Sequence, residues 1–272
     1  MNHGADSNHA FAGCCTIGVV RHVKMGDCQN EMSFMNHFIH GVARVIGETF
    51  DLPEPLLEIG SYQVEGQERL ANLRTLFPGK KYLGVDMRPG PGVDCVANVE
   101  QLPHPSASVG TVLALNTFEH VKCYLRGLDE VHRVLRPDGV LVLSTPFHFR
   151  IHEFPHDYWR FTPAAYEALL ERYASKIIGW HGPKNRPANV WAVAFREGRP
   201  AITPGQYACY CGLMARYARE PEATWTRRMR YRVASWLCGR GPFAPYLDRN
   251  RWDSLCLNAA CRLAATSPAC AA

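Results

Sequence analysis

The stretch from Leu56 to Asp86 constrains the fold more than any other part of the chain. Leu56-Leu57-Glu58-Ile59-Gly60 is a short apolar run closing on an acid and a glycine, Glu65 to Phe77 has helical spacing, and Tyr82-Leu83-Gly84-Val85-Asp86 repeats the run. Apolar runs of this length around one helix predict two buried parallel strands joined by a crossover. A glycine turn after the first strand lets a ligand reach the backbone and the helix N-terminus. An acid closing the second strand can accept hydrogen bonds from a ribose diol. The stretch predicts a nucleoside site.

The 272 residues, 47% of them hydrophobic, suffice for one large domain or a domain with an appendage. No basic segment followed by an apolar run opens the sequence. No stretch approaches the roughly 18 apolar residues needed to span a bilayer. A cytoplasmic protein without a membrane partner is expected. The eleven cysteines are odd in number and scattered, with no CxxC pair, which favours reduced thiols over a disulfide framework or a zinc site. The net charge of +5 is uneven: residues 1–195 carry 18 basic and 20 acidic groups, whereas 196–272 carry 12 and 5. A basic tail can hold nucleic acid, an anionic substrate or an acidic partner, or can simply be a solvated helix face.

Three regions follow from the patterning: an N-terminal arm and cover helix over 1–50, a central domain over 51–197, and a helical C-terminal extension over 198–272. In the first, Met32, Met35, Phe38, Ile39, Val42, Val45 and Ile46 fall three or four apart on one helix face, and Pro53 and Pro55 stop that helix. In the second, strands at Asp94–Ala97, Val109–Leu115, Val140–Ser144, Lys176–Trp180 and Asn189–Phe195 alternate with helices at Cys123–Leu135 and from Pro163 to Tyr173. This alternation specifies an α/β fold, a Rossmann-like doubly wound sheet of seven mostly parallel strands. Helices over Gln206–Ala218, Ala223–Leu237 and Trp252–Ala264 are expected in the third region.

The central region resembles the class I S-adenosylmethionine-dependent methyltransferases, over about Leu56 to Arg196. In the family's acid-x-Gly-x-Gly-x-Gly turn, Glu58 and Gly60 match, Ser61 follows, and Tyr62 and Val64 stand where further glycines would fall. The missing glycines argue against a dinucleotide, whose pyrophosphate needs a closer backbone approach. By the resemblance, Asp86 binds the ribose hydroxyls and Met87 packs on adenine. Asn98-Val99-Glu100-Gln101-Leu102-Pro103 supplies the adenine contact, with Asn98 accepting through its amide oxygen. Asn116-Thr117-Phe118-Glu119-His120-Val121 lies beside the methionine end. Leu135-Arg136-Pro137-Asp138-Gly139 resembles the turn that starts the fifth strand. The cofactor implied is S-adenosyl-L-methionine, held by Glu58, Gly60, Ser61, Asp86, Met87, Asn98, Val99 and Asn116.

The reactive end is expected in the run from Thr145 to Pro163, which resembles a stretch seen in a subset of bacterial methyltransferases. Three explanations stay open for it. His152, His156 or Asp157, with His120 nearby, removes a proton from the acceptor. Alternatively, His148, His152 and His156 bind a metal, although Pro155 breaks the helix that would present all three; no metal is expected. In the third, Tyr158, Trp159 and Phe161 are core, and Asp157 pairs with Arg160 to fix the loop. The expected function is methyl transfer to an oxygen or nitrogen of a small molecule such as a sugar or secondary metabolite. RNA or protein methylation, with Arg227, Arg228, Arg230 and Arg232 gripping phosphates, is the alternative, as is a non-catalytic binding protein of the same fold. Tyr231 and Trp236 have helical core spacing, which counts against nucleic acid.

Overall fold

The computed structural model describes residues 36–152, 156–239, 250–258 and 262–266. The N-terminal arm, with Met32 and Met35 of the expected cover-helix face, lies outside them. The cover helix forms as α1, His37–Thr49, where Asn36 caps the N-terminus by accepting from the Ile39 N–H at 2.8 Å. The central sheet is built from β1 (Leu56–Ile59), β2 (Tyr82–Asp86), β3 (Cys95–Val96), β4 (Val109–Leu115), β5 (Leu135–Pro146), β6 (Ser175–His181) and β7 (Asn189–Phe195). Between β1 and β2, the expected helix over Glu65–Phe77 is broken into α2 (Glu68–Ala71) and a 3-10 turn at Leu73–Leu76. No side chain caps its start, and Asn72, with φ −80° and ψ 81°, interrupts the ladder between the two pieces. Helix α3 spans Tyr124–Val134, and α4 runs Pro163–Leu169 behind a Thr162 cap that accepts from the Ala165 N–H at 3.0 Å.

Strand order is β3-β2-β1-β4-β5-β7-β6-β8-β9. The last two strands, β8 (Trp252–Asn258) and β9 (Arg262–Thr266), correct the sequence expectation of a helix over Trp252–Ala264. The C-terminal region is therefore not helical throughout: α5 (Pro204–Tyr217) and α6 (Trp225–Cys238) form, and the chain then returns to the sheet. The physical reason is the free edge of β6. Its backbone groups need partners, and β8 supplies them antiparallel from Ser175↔Asn258 to His181↔Trp252. Pairing directions leave only β7 and β8 running against the rest.

Both sheet faces are covered, and the strands read out the period of two. Leu56, Leu113, Val140, Val142, Val193 and Phe195 bury on one face with α1 and α5, whereas Leu57, Val112, Leu141, Leu143, Ala192 and Ala194 bury on the other with α3 and α4. On the first face Phe38 stacks on His181 at 3.8 Å, and the Trp191 indole donates to the Tyr210 hydroxyl of α5 at 2.8 Å. Helices α1 and α5 touch backbone to backbone: a Cβ on Gly41 would lie 2.2 Å from the Tyr217 carbonyl oxygen. Gly41→Ala should therefore destabilise the fold by about 1–3 kcal/mol through overpacking, read as a lower denaturation midpoint at unchanged slope.

Candidate active site

Between β1 and β4 the order of connections reverses, and ligands in open α/β sheets bind outside the carboxyl ends of strands at such a switch point. Gly60 leaves β1 with φ +82°, and a Cβ there would meet Thr117 Oγ1 at 2.4 Å. Thr117 itself donates to the Ile59 carbonyl at 2.9 Å, so the loops after β1 and β4 are tied together at the crevice. Asn116 closes β4 with φ +53°, in the left-handed region that non-glycine residues avoid; it persists because the Ser144 hydroxyl donates to its side-chain oxygen at 3.0 Å.

The residues expected to hold the cofactor fall along this edge. Asp86 ends β2 with a mostly shielded carboxylate that accepts from the Tyr62 N–H at 3.3 Å and the Arg88 N–H at 2.9 Å. Met87 beside it is 60% exposed, an apolar side chain facing outward where no core needs it. Ser61 is buried, and its hydroxyl has no hydrogen-bond partner among the described residues. Val99 is buried, whereas the Asn98 side-chain oxygen is already used in accepting from the Glu100 N–H at 2.9 Å. One lone pair of that oxygen is left for a ligand. Glu58 is turned to a different partner: it accepts from the Tyr82 hydroxyl at 2.8 Å, and burial pushes its carboxyl up to about 8.

A second cluster gathers behind Asn116. His120 and Glu119 stand at the end of β4, and the loop after β5 brings His152, Asp157 and Arg160 onto them. The loop is pinned there by the Tyr158 and Trp159 N–H groups, which donate to the Glu119 carbonyl at 2.8 and 3.2 Å. His120 Nδ1–H donates to the His156 carbonyl at 2.6 Å, which leaves Nε2 as the lone-pair nitrogen, 3.8 Å from Glu119 Oε1. The His120 and His152 rings meet edge to face at 4.9 Å. Burial lowers the His120 pKa against the opposing pull of that carbonyl, so its imidazole is neutral at physiological pH.

Asp157 is fully shielded, and its Oδ2 lies 2.9 Å from His152 Nδ1 and accepts from the His152 N–H at 3.0 Å. Burial alone would raise its pKa, but the Arg160 guanidinium bridging both oxygens and the His152 N–H outweigh it and hold the carboxyl at about 2. A carboxylate held so low is a poor proton acceptor, so Asp157 orients its neighbours. The His156 ring lies against Tyr158 at 5.4 Å, and only its carbonyl reaches the cluster. Of the aromatic residues read as core, Phe161 is buried, whereas Tyr158 and Trp159 are 41% and 38% exposed.

Glu119 has no role in the sequence reading. Its side chain is fully buried, neither oxygen has a hydrogen-bond partner among the described residues, and burial followed by the Asp157 charge pushes it up to about 8. The available signal was its place directly before His120 at the end of an apolar strand. Glu119, His120 and His152 also offer ligand-type atoms within 4.8 Å of one another, a different trio from the three histidines weighed in sequence.

Residues 57–143 match the family model described as a methyltransferase domain. A Mycolicibacterium smegmatis protein described as a probable S-adenosylmethionine-dependent methyltransferase is 39% identical over 66 residues, 24% of this chain; the match spans 23% of that relative's length. Among solved structures, the Burkholderia thailandensis 1,6-didemethyltoxoflavin N1-methyltransferase, with S-adenosylhomocysteine bound, shares 18% identity at a TM-score of 0.46, covering 62% of this chain and 81% of its own. An Archaeoglobus fulgidus S-adenosylmethionine-dependent methyltransferase shares 13% at 0.46, covering 58% and 93%. The likeness to a methyltransferase domain covers residues 57–143 of the 272, less than half of the chain. The residues at this edge fit S-adenosylmethionine: a shielded acid closing β2, an outward apolar side chain after it, and a buried hydroxyl beside the first loop that has no partner among the described residues.

The two raised carboxyls set a pH dependence. Glu58 and Glu119 keep a proton in the fold where the unfolded chain, with an ordinary value near 4.5, has lost it. Their contribution to stability is complete below that value and is lost as pH rises through about 8. Melting temperature should fall across this window, and Glu58→Gln should flatten the fall.

Proposed function

We propose that the protein transfers the methyl group of S-adenosyl-L-methionine to an oxygen or nitrogen of a small-molecule acceptor such as a sugar or secondary metabolite, with His120 Nε2 as the proton acceptor. The observation that carries this reading is the fixed tautomer of His120, a neutral imidazole whose Nδ1–H is held by the His156 carbonyl at the carboxyl end of β4. When bound, the cofactor supplies an electrophilic methyl on a sulfonium. The chain's own work is then to align the acceptor, exclude water and take one proton. Asp86, Met87 and Ser61 hold the nucleoside end, and Asn116 borders the methionine end. His152, held beside Asp157, and the exposed faces of Tyr158 and Trp159 form the acceptor wall.

Calorimetric titration with S-adenosylhomocysteine should give saturable heat that Asp86→Ala weakens at least about tenfold, the scale of a lost charge-assisted hydrogen bond. Absence of heat from the parent chain sinks the proposal. Once an acceptor is found with labelled cofactor, His120→Ala should lower turnover by about 100-fold or more with cofactor affinity little changed. His156→Ala keeps the backbone carbonyl and should retain most of the turnover. Equal losses in the two variants would remove His120 from the proton step, and loss on chelation, restored by a divalent ion, would make the Glu119–His120–His152 trio a metal centre instead.

A further inference from the structure

Helix α6 is the one helix of eight or more residues, among those described, that buries none of its residues. Trp225, Met229, Val233, Trp236 and Leu237 are 74%, 37%, 51%, 83% and 68% exposed. At 100° per residue these five fall within about 120° of arc, one continuous apolar stripe. Trp236, whose spacing suggested core, is the most exposed of them. Arg228 and Arg232 border one side of the stripe and Arg230 the other, and no acidic residue occurs between Ala223 and Gly239.

The helix is also held in place as an excursion from the fold. The Glu220 N–H donates to the Asn250 side-chain oxygen at 3.0 Å, closing the two roots of the excursion on each other, and β8 then enters the sheet beside β6. Thr224 caps the N-terminus by accepting from the Arg227 N–H at 3.4 Å. A 14-residue helix without a packed face is marginal in water, so this one needs a surface to lie on.

We propose that α6 is an interfacial helix that docks the protein on an anionic lipid surface, with the Trp225–Leu237 stripe inserted among the headgroups and Arg228, Arg230 and Arg232 reaching lipid phosphates. Charge complementarity decides the occupant: a helix with four arginines and no acid fits an anionic surface. The aliphatic side chains Met229, Val233 and Leu237 decide between anionic surfaces, because nucleic acid offers stacking faces to Trp but no hydrocarbon to a Leu or Val. No described helix is long and apolar enough to cross a membrane, so the attachment is peripheral. This placement is independent of the acceptor proposed for the catalytic centre.

The test is co-sedimentation of the full chain with vesicles of roughly one part phosphatidylglycerol to three parts phosphatidylcholine, against phosphatidylcholine alone. Partitioning should favour the anionic vesicles by about fivefold for each arginine at the surface, on the order of 100-fold for the three that flank the stripe, and should weaken with salt. Trp225→Ser with Trp236→Ser should abolish it, and Arg228→Glu with Arg232→Glu should remove the lipid preference. Both variants should keep the parent melting temperature and heat of S-adenosylhomocysteine binding, since α6 buries nothing. Equal binding to both vesicle types, no binding, or binding that survives loss of both tryptophans overturns the proposal. So does retention of an RNA oligonucleotide in place of vesicles, or a concentration-dependent dimer that the tryptophan substitutions dissolve.

Discussion

The close approach of Gly60 to Thr117 is the contact on which the site depends. The loops leaving β1 and β4 must pass within hydrogen-bond distance for Thr117 to reach the Ile59 carbonyl, and only a residue without Cβ leaves room for the threonine side chain. That single tie fixes the crevice at the switch point. It places Asp86 on one side and Asn116 on the other, and it sets where the residues after Asn116 stand. Tyr62, standing where a further motif glycine would fall, has its ring under the Arg88 guanidinium at 4.3 Å.

From that tie the reactive cluster is assembled by backbone more than by side chains. Glu119's carbonyl receives the two N–H groups of the β5–α4 loop, and the His156 carbonyl sets the His120 tautomer. Main-chain contacts of this kind survive substitution of the residues that provide them. They explain how a loop so dense in ionisable side chains can hold one arrangement: Arg160 neutralises Asp157, and Asp157 in turn engages His152.

Much of the architecture was legible in sequence because it rests on local periodicity. Val109–Leu115 and Asn189–Phe195 are strands over those spans, and the Asn116 and Asp86 positions follow from strand ends. The readings that failed depended on partners distant in sequence. Trp252–Ala264 has apolar residues that suit a helix or a strand, and the open edge of β6, some seventy residues earlier, selects the strand. Trp236 at helical core spacing says only that a helix has an apolar face. Whether a partner covers that face is a tertiary fact. The same holds at the cluster: that Glu119 is buried with no hydrogen-bond partner among the described residues, and that His156 contributes its carbonyl while its ring faces Tyr158, follows from how the β5–α4 loop folds back and not from spacing.

The charge state of the cluster bears on the proposed chemistry. Glu119 retains its proton, His120 is neutral, and Asp157 cancels Arg160, so these four groups together carry almost no net charge. In a low-polarity wall of this kind, an ionised Glu119 would stabilise the cationic cofactor before reaction and deepen the ground state. Keeping it protonated removes that stabilisation. In the proposed reaction His120 would take the acceptor's proton within this nearly uncharged wall, and the bound cofactor would supply the electrophilic methyl. The desolvation that makes Glu119 costly to the fold at neutral pH would, in the proposed reaction, keep that wall free of a fixed counter-charge.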